Sequence, residues 1–125
     1  MKHFAAAALL LAGLVLAAAP AQAAEYNNTA LNLLWDCDDD PQTGQSDQIF
    51  CHGYMTGFIE GYSNQTHNEK TYDPAYRPLF CIPVGVTAEQ ARRVFVKWVN
   101  DHPEGLHLPR VIAVALALKD AFPCK

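Results

Sequence analysis

Apolar and polar positions along the chain form one unbroken apolar run and four helical patterns. The run is Phe4 to Ala18. Beyond it, Leu31, Leu34 and Trp35 share a helical spacing over about Thr29 to Cys37, with Asn28 or Thr29 as the cap. The stretch Asp38-Asp39-Asp40-Pro41-Gln42-Thr43-Gly44 then supplies turn chemistry. A second helix is expected from Ser46, with Asp47 favouring the dipole in its first turn. Cys51, Tyr54, Met55, Phe58 and Tyr62 line one continuous face of it. Gly53, Gly57 and Gly61 recur along the same helix, each at a cost of about 1 kcal/mol of propensity relative to Ala. That ridge predicts close approach of another helix or of a neighbouring chain.

Ser63 to Phe80, rich in Asn, Tyr and Pro, is expected to be a long connection of the kind that carries function. Thr87-Ala88-Glu89-Gln90 is a capping box that opens a third helix after the turn Pro83-Val84-Gly85. Ala91, Val94, Phe95, Trp98 and Val99 form its apolar face, and His102-Pro103-Glu104-Gly105 ends it. A fourth helix starts near Pro109, with Val111, Ala115, Leu118 and Phe122 on one face and Pro123-Cys124 as its close. No stretch alternates with period two for long enough to make a strand. The fold class is all-α, a compact bundle of four main helices.

The amino terminus has the layout of a secretory signal peptide: Met1-Lys2-His3, the apolar run, Pro20, then Ala21-Gln22-Ala23 before Ala24. At 15 residues the run is short of the roughly 20 that a membrane span needs. Cleavage after residue 23 leaves a working domain of residues 24–125, exported to the periplasm, with no membrane segment and all four cysteines. An even cysteine count in an exported domain of this size implies two disulfides. Cys37 with Cys51 and Cys81 with Cys124 is the expected pairing, and the other two connectivities stay open.

Charge is unevenly spread. Ala24 to Glu69 holds eight acidic residues and no Lys or Arg, whereas Lys70 to Lys125 balances to +3. The net −4 of the whole chain argues against nucleic acid as a partner.

Candidate chemistry is sparse. Asp36, Asp38, Asp40 and Asp47 fall at calcium-loop spacing, but Pro41 stands where the loop needs Gly and Asp47 where it needs Glu. A solvated acidic turn is the better reading, with no metal. His52, His67, His102 and His107 lie on separate segments, and neither Ser46 nor Ser63 sits in a G-x-S-x-G elbow. The cysteines, once oxidised, offer no thiolate. The chain is therefore expected to be no enzyme and to need no cofactor.

Several motifs, taken in order, resemble one family. They are Cys51-His52-Gly53-Tyr54-Met55-Thr56-Gly57, the segment Phe80 to Gln90 (FCIPVGVTAEQ), the turn His102-Pro103-Glu104 and the ending Ala117 to Cys124 (ALKDAFPC). Together they span about Leu31 to Cys124, and the chain resembles type VI secretion amidase immunity proteins of the Tai type. The resemblance implies a small periplasmic helical domain, often dimeric, that binds and blocks a peptidoglycan-cutting amidase. No contact residue carries over by motif.

The leading expectation is an inhibitory binding protein, a homodimer, that meets an amidase effector through a loop between Ser63 and Leu79. Tyr72 and Tyr76 supply rigid aromatic area there, and Asp73 and Arg77 supply charge. The alternative is a general periplasmic stress or chaperone-like helical protein without a dedicated toxin.

Overall fold

A computed structural model describes residues 28–39 and 45–125, with side chains from 48 onward in the second stretch. It contains α1 (Ala30–Cys37), α2 (Gln45–Tyr72), α3 (Ala88–Asp101), a single 3-10 turn (Pro103–Gly105) and α4 (Arg110–Ala121). The proposed leader, Asp40 and the turn through Gly44 lie outside the described residues, as do the Ser46 and Asp47 side chains. The four-Asp calcium spacing is therefore outside them in part. Among the described residues there is no strand, and the fold is all-α.

The amino-terminal ends of α1 and α4 satisfy each other. The first N–H groups of any helix have no partner inside it. In α1, Ala30 N donates to Leu108 O at 2.8 Å and Leu31 N to Leu106 O at 3.1 Å. In return Arg110 N, at the start of α4, donates to Asn28 O at 2.8 Å. Thr29 adds a side-chain cap on Asn32 N. Gly105 lies in the same connection because a Cβ there would come within 3.1 Å of the Trp98 ring.

The core forms where the helices converge. Leu33 and Cys37 of α1, Met55 and Cys51 of α2, and Phe95 and Val99 of α3 are buried, as are Val114 and Leu118 of α4. The face expected on α2 is present: Tyr54, Phe58 and Tyr62 pack against this cluster beside the buried Cys51 and Met55. Thr87 caps α3 as expected, with Gln90 N donating to Thr87 Oγ1 at 3.1 Å.

Two helical faces are rotated from expectation. On α1 the buried positions are Ala30, Leu33 and Cys37, while Trp35 is 58% exposed. The disulfide at Cys37 and the backbone pairing at Ala30 together fix that rotation. On α4 the buried stripe is Ala113, Val114, Ala117 and Leu118, and Val111 faces out. Small alanines let α4 lie close, so the largest side chains do not decide its orientation.

Both disulfides take the expected pairing, Cys37–Cys51 and Cys81–Cys124, with Cα atoms 5.2 and 4.9 Å apart. The first joins the end of α1 to α2. The second ties the segment before α3 to the end of α4, where Cys81 N also donates to Phe122 O at 2.9 Å.

The largest correction concerns Ser63 to Tyr72, which is helix and not connection. α2 runs for 28 residues, about 42 Å at 1.5 Å per residue. Its polar second half lacks an apolar stripe, which is why periodicity misses it. No breaker arrives before Pro74, and a residue preceding Pro disfavours helical backbone. Helical structure accordingly ends at Tyr72, two residues before the ring.

Candidate partner-binding site

Beyond Tyr62, α2 leaves the core. From Ser63 to Tyr72 every residue is exposed except Thr66, which is half-buried. The chain turns at Asp73 and returns alongside to Phe80. Ten residues of helix rise about 15 Å, a span that seven extended residues cover easily. The result is a finger of helix and return segment that projects beyond the bundle.

The base of the finger is firmly made. The Tyr62 and Phe80 rings stack with centroids 3.9 Å apart and planes 8° apart. The Tyr62 hydroxyl donates to Phe80 O at 2.9 Å and accepts from Phe80 N at 3.0 Å. One phenol thus satisfies both backbone groups of a buried residue that no helix or sheet serves. Behind this pin, the disulfide Cys81–Cys124 anchors the return segment to α4.

The tip brings together the four residues expected to meet a partner. Tyr72 ends α2 and is 87% exposed. Asp73 shapes the turn: its Oδ1 accepts from Ala75 N at 2.9 Å and its carbonyl from Tyr76 N at 3.0 Å. Tyr76 is half-buried, and Arg77 is exposed, with Nη1 donating to Ala75 O and Tyr76 O at 3.1 and 3.3 Å. Asp73 and Arg77 are therefore partly engaged in holding the turn, while Tyr72 is fully presented.

Along one side of the finger, Tyr62, Ser63, Thr66, His67 and Lys70 face Pro78, Phe80, Cys81 and Ile82 across a groove of about 290 Å³. The helical members recur at i, i+4 and i+8 with their neighbours. That periodicity is legible only if the helix is extended past Tyr62, so the groove has no counterpart in the sequence reading.

A second constellation that the sequence does not disclose lies at the opposite end of the core. Arg92, on α3 and only 8% exposed, reaches the carboxyl end of α1. Its Nη1 donates to Cys37 O at 2.6 Å, its Nε to Glu89 Oε2 at 2.8 Å, and its Nη2 lies 3.1 Å from Asp39 Oδ1. The Arg93 Nε also donates to Glu89, at 2.7 Å. Hydrogen bonds from Arg92 and Arg93 lower the Glu89 carboxyl from 4.5 to about 2. The Arg92 guanidinium is in turn raised above its already high value, mainly by Glu89. Asp39, at the start of the acidic turn, is thus tied to α3 although its side chain remains exposed.

The glycine ridge on α2 receives no helix of the described residues: a Cβ at Gly53, Gly57 or Gly61 would meet nothing among them within 4 Å. Among the described residues no three His, Cys, Asp or Glu side chains cluster to hold a metal ion. No helix of the described residues is long and apolar enough to cross a membrane.

No curated protein and no solved structure shows a significant match to the chain. The family model of the Rap1a immunity proteins, by contrast, matches residues 29–124, from the cap of α1 to the second cysteine of the outer disulfide. With all four helices inside that match, the chain belongs to the Rap1a immunity proteins, a type VI secretion immunity family.

Proposed function

We propose that residues 24–125 are the mature, periplasmic form of a non-catalytic immunity protein, released from a leader at residues 1–23, which protects its cell by binding a type VI amidase effector. The observation that carries the reading is the family match over residues 29–124. Two disulfides in so small a domain suit an oxidising compartment. The finger suits inhibition by insertion. Tyr72 is a rigid aromatic anchor at a projecting tip, with Tyr76 and Arg77 beside it, and such residue types dominate interface energies. An amidase cleft is a concave target that a protruding element of this kind can fill.

The homodimer belongs to the same proposal. Exposed Ile49 and Phe50 adjoin the open glycine ridge on α2, and helices approach closely where side chains are absent. The test is a binding experiment with purified residues 24–125 and the amidases encoded in the same genome. Submicromolar binding with loss of peptidoglycan cleavage is the expected result. Binding no tighter than micromolar to all of them overturns the amidase assignment.

A further inference from the structure

We infer that the cleft between α3 and α4 is a docking subsite for a basic side chain, lysine or arginine, of a protein partner. It rests on the reading of this chain as a protein-binding module, and it adds a second contact surface built from residues that the finger does not contain.

The cleft is an apolar trough with charge at its rim. Val94 and the Trp98 ring line it from α3, and the small Ala117 and Ala121 line it from α4, leaving a volume of about 290 Å³. The charged groups around it, Lys97, Asp101 and Asp120, are all exposed.

The two carboxylates are not equivalent. Asp101 is paired with Lys97, one turn away on α3. Asp120 instead accepts from the Trp98 indole, Nε1 to Oδ2 at 2.8 Å, and makes no ion pair among the described residues. A neutral donor fixes this carboxylate beside the cleft without cancelling its charge, and a carboxylate has lone pairs for further donors. Glu60, Glu69 and Glu104 are exposed as well, but they border neither this cleft nor the groove beside the finger. Asp120 is set apart by being held in place next to apolar surface.

That combination selects among occupants. Lysine and arginine lay a methylene stem along apolar surface and keep the charged head at its edge, which here is Asp120. A purely apolar side chain would take water from Asp120 and give no partner in exchange. An acidic one would meet like charge.

The cleft is also held in shape. The Trp98 ring stacks on His102, with centroids 4.5 Å apart and planes 16° apart, and His102 Nδ1 donates to Trp98 O at 2.8 Å. With the indole fixed by both Asp120 and His102, little order is lost when a side chain enters.

The test uses residues 24–125 and two blocked tripeptides, acetyl-Ala-Lys-Ala-amide and its uncharged norleucine counterpart, followed by NMR. The chain has two tryptophans, so the indole N–H signal of Trp98 is read against that of Trp35 on α1. Saturable shifts at Trp98, Ala117 and Ala121 are expected with the Lys peptide, and affinity about tenfold weaker with the norleucine peptide, as for loss of one charge-assisted bond. Asp120→Asn keeps an acceptor for the indole but not the charge, and should reproduce that tenfold loss. Glu60→Gln removes the same charge from a site outside the cleft and should leave affinity unchanged. No saturable shift at Trp98, equal response to the two peptides, undiminished binding in Asp120→Asn, or an equal loss in Glu60→Gln would each overturn the proposal. None of these measurements uses the effector, so failure of the subsite leaves the immunity reading to its own test.

Discussion

Arg92 donates to the carbonyl oxygen of Cys37 across 55 residues of sequence, at 2.6 Å. Cys37 is the last residue of α1, so its carbonyl is one of the acceptors that a helix leaves without a partner. A guanidinium placed there caps the helix and meets the negative end of its dipole. The same group grips Glu89 and Asp39, which makes Arg92 the joint between the amino-terminal helix and α3.

Substitution of that joint is therefore expected to cost more than a surface charge. Arg92→Ala leaves the Cys37 carbonyl without its donor, and we expect a loss of about 1.5–3 kcal/mol. Arg92→Lys keeps the charge but not the fork, and should recover only part of it. Urea denaturation of the two variants measures both values.

Acid should loosen the same region. The folded-state value of Glu89 is depressed from 4.5 to about 2, chiefly by its hydrogen bonds to Arg92 and Arg93. A depressed carboxyl stabilises the fold above its unfolded value, and that contribution is lost as pH falls from about 4.5 toward 2. Glu89→Gln should lower stability at neutral pH and flatten the fall across this window. Thermal midpoints taken across the window compare the two slopes.

Glycine substitution separates the chain's own packing from its association. Ala at Gly57 meets nothing within 4 Å among the described residues, so helix propensity alone favours the change, by about 1 kcal/mol per site. If α2 pairs with a second copy along this ridge, the added methyl weakens the dimer. Sedimentation of Gly57→Ala alongside its melting point reads the two effects apart. A stabilised variant with undiminished association would remove the ridge from the dimer interface.

The fingertip should behave in the opposite way. Tyr72 is 87% exposed, and its truncation to Ala is expected to alter stability by no more than about 0.5 kcal/mol. Effector affinity should fall at least about tenfold in Tyr72→Ala, as for a modest interface hot spot. Matched denaturation and binding curves decide it.

Much of the bundle is legible from local pattern. Met55 on α2 and Phe95 and Val99 on α3 fall on apolar faces with a clear period, and all three are buried. The cap at Thr87 also follows from a short-range signal, whereas the cysteine count implies two disulfides and only the fold fixes their pairing. Other features depend on partners distant in sequence. Trp35 would be buried by hydrophobicity alone, yet the Cys37 disulfide and the pairing of Ala30 with Leu108 turn it outward. The second half of α2 carries no apolar stripe because it packs on little, so periodicity gives no sign of it. The groove was hidden for the same reason: Tyr62, Thr66 and Lys70 share a face only on a helix that continues. The Rap1a family match, for its part, identifies the immunity class without naming an effector.

The reciprocal bonding of α1 and α4 bears on the order of folding. A chain that emerges amino terminus first presents Ala30 and Leu31 long before Leu106 and Leu108 exist to receive their N–H groups. α1, only eight residues long, falls below the length at which an isolated helix persists in water, about 12–15 residues. The first helix of the domain is therefore among the last parts to become stable, and the bundle closes by joining its beginning to its end. Pulsed hydrogen exchange during refolding should show protection at Ala30 and Leu31 arriving together with that of α4, not ahead of it.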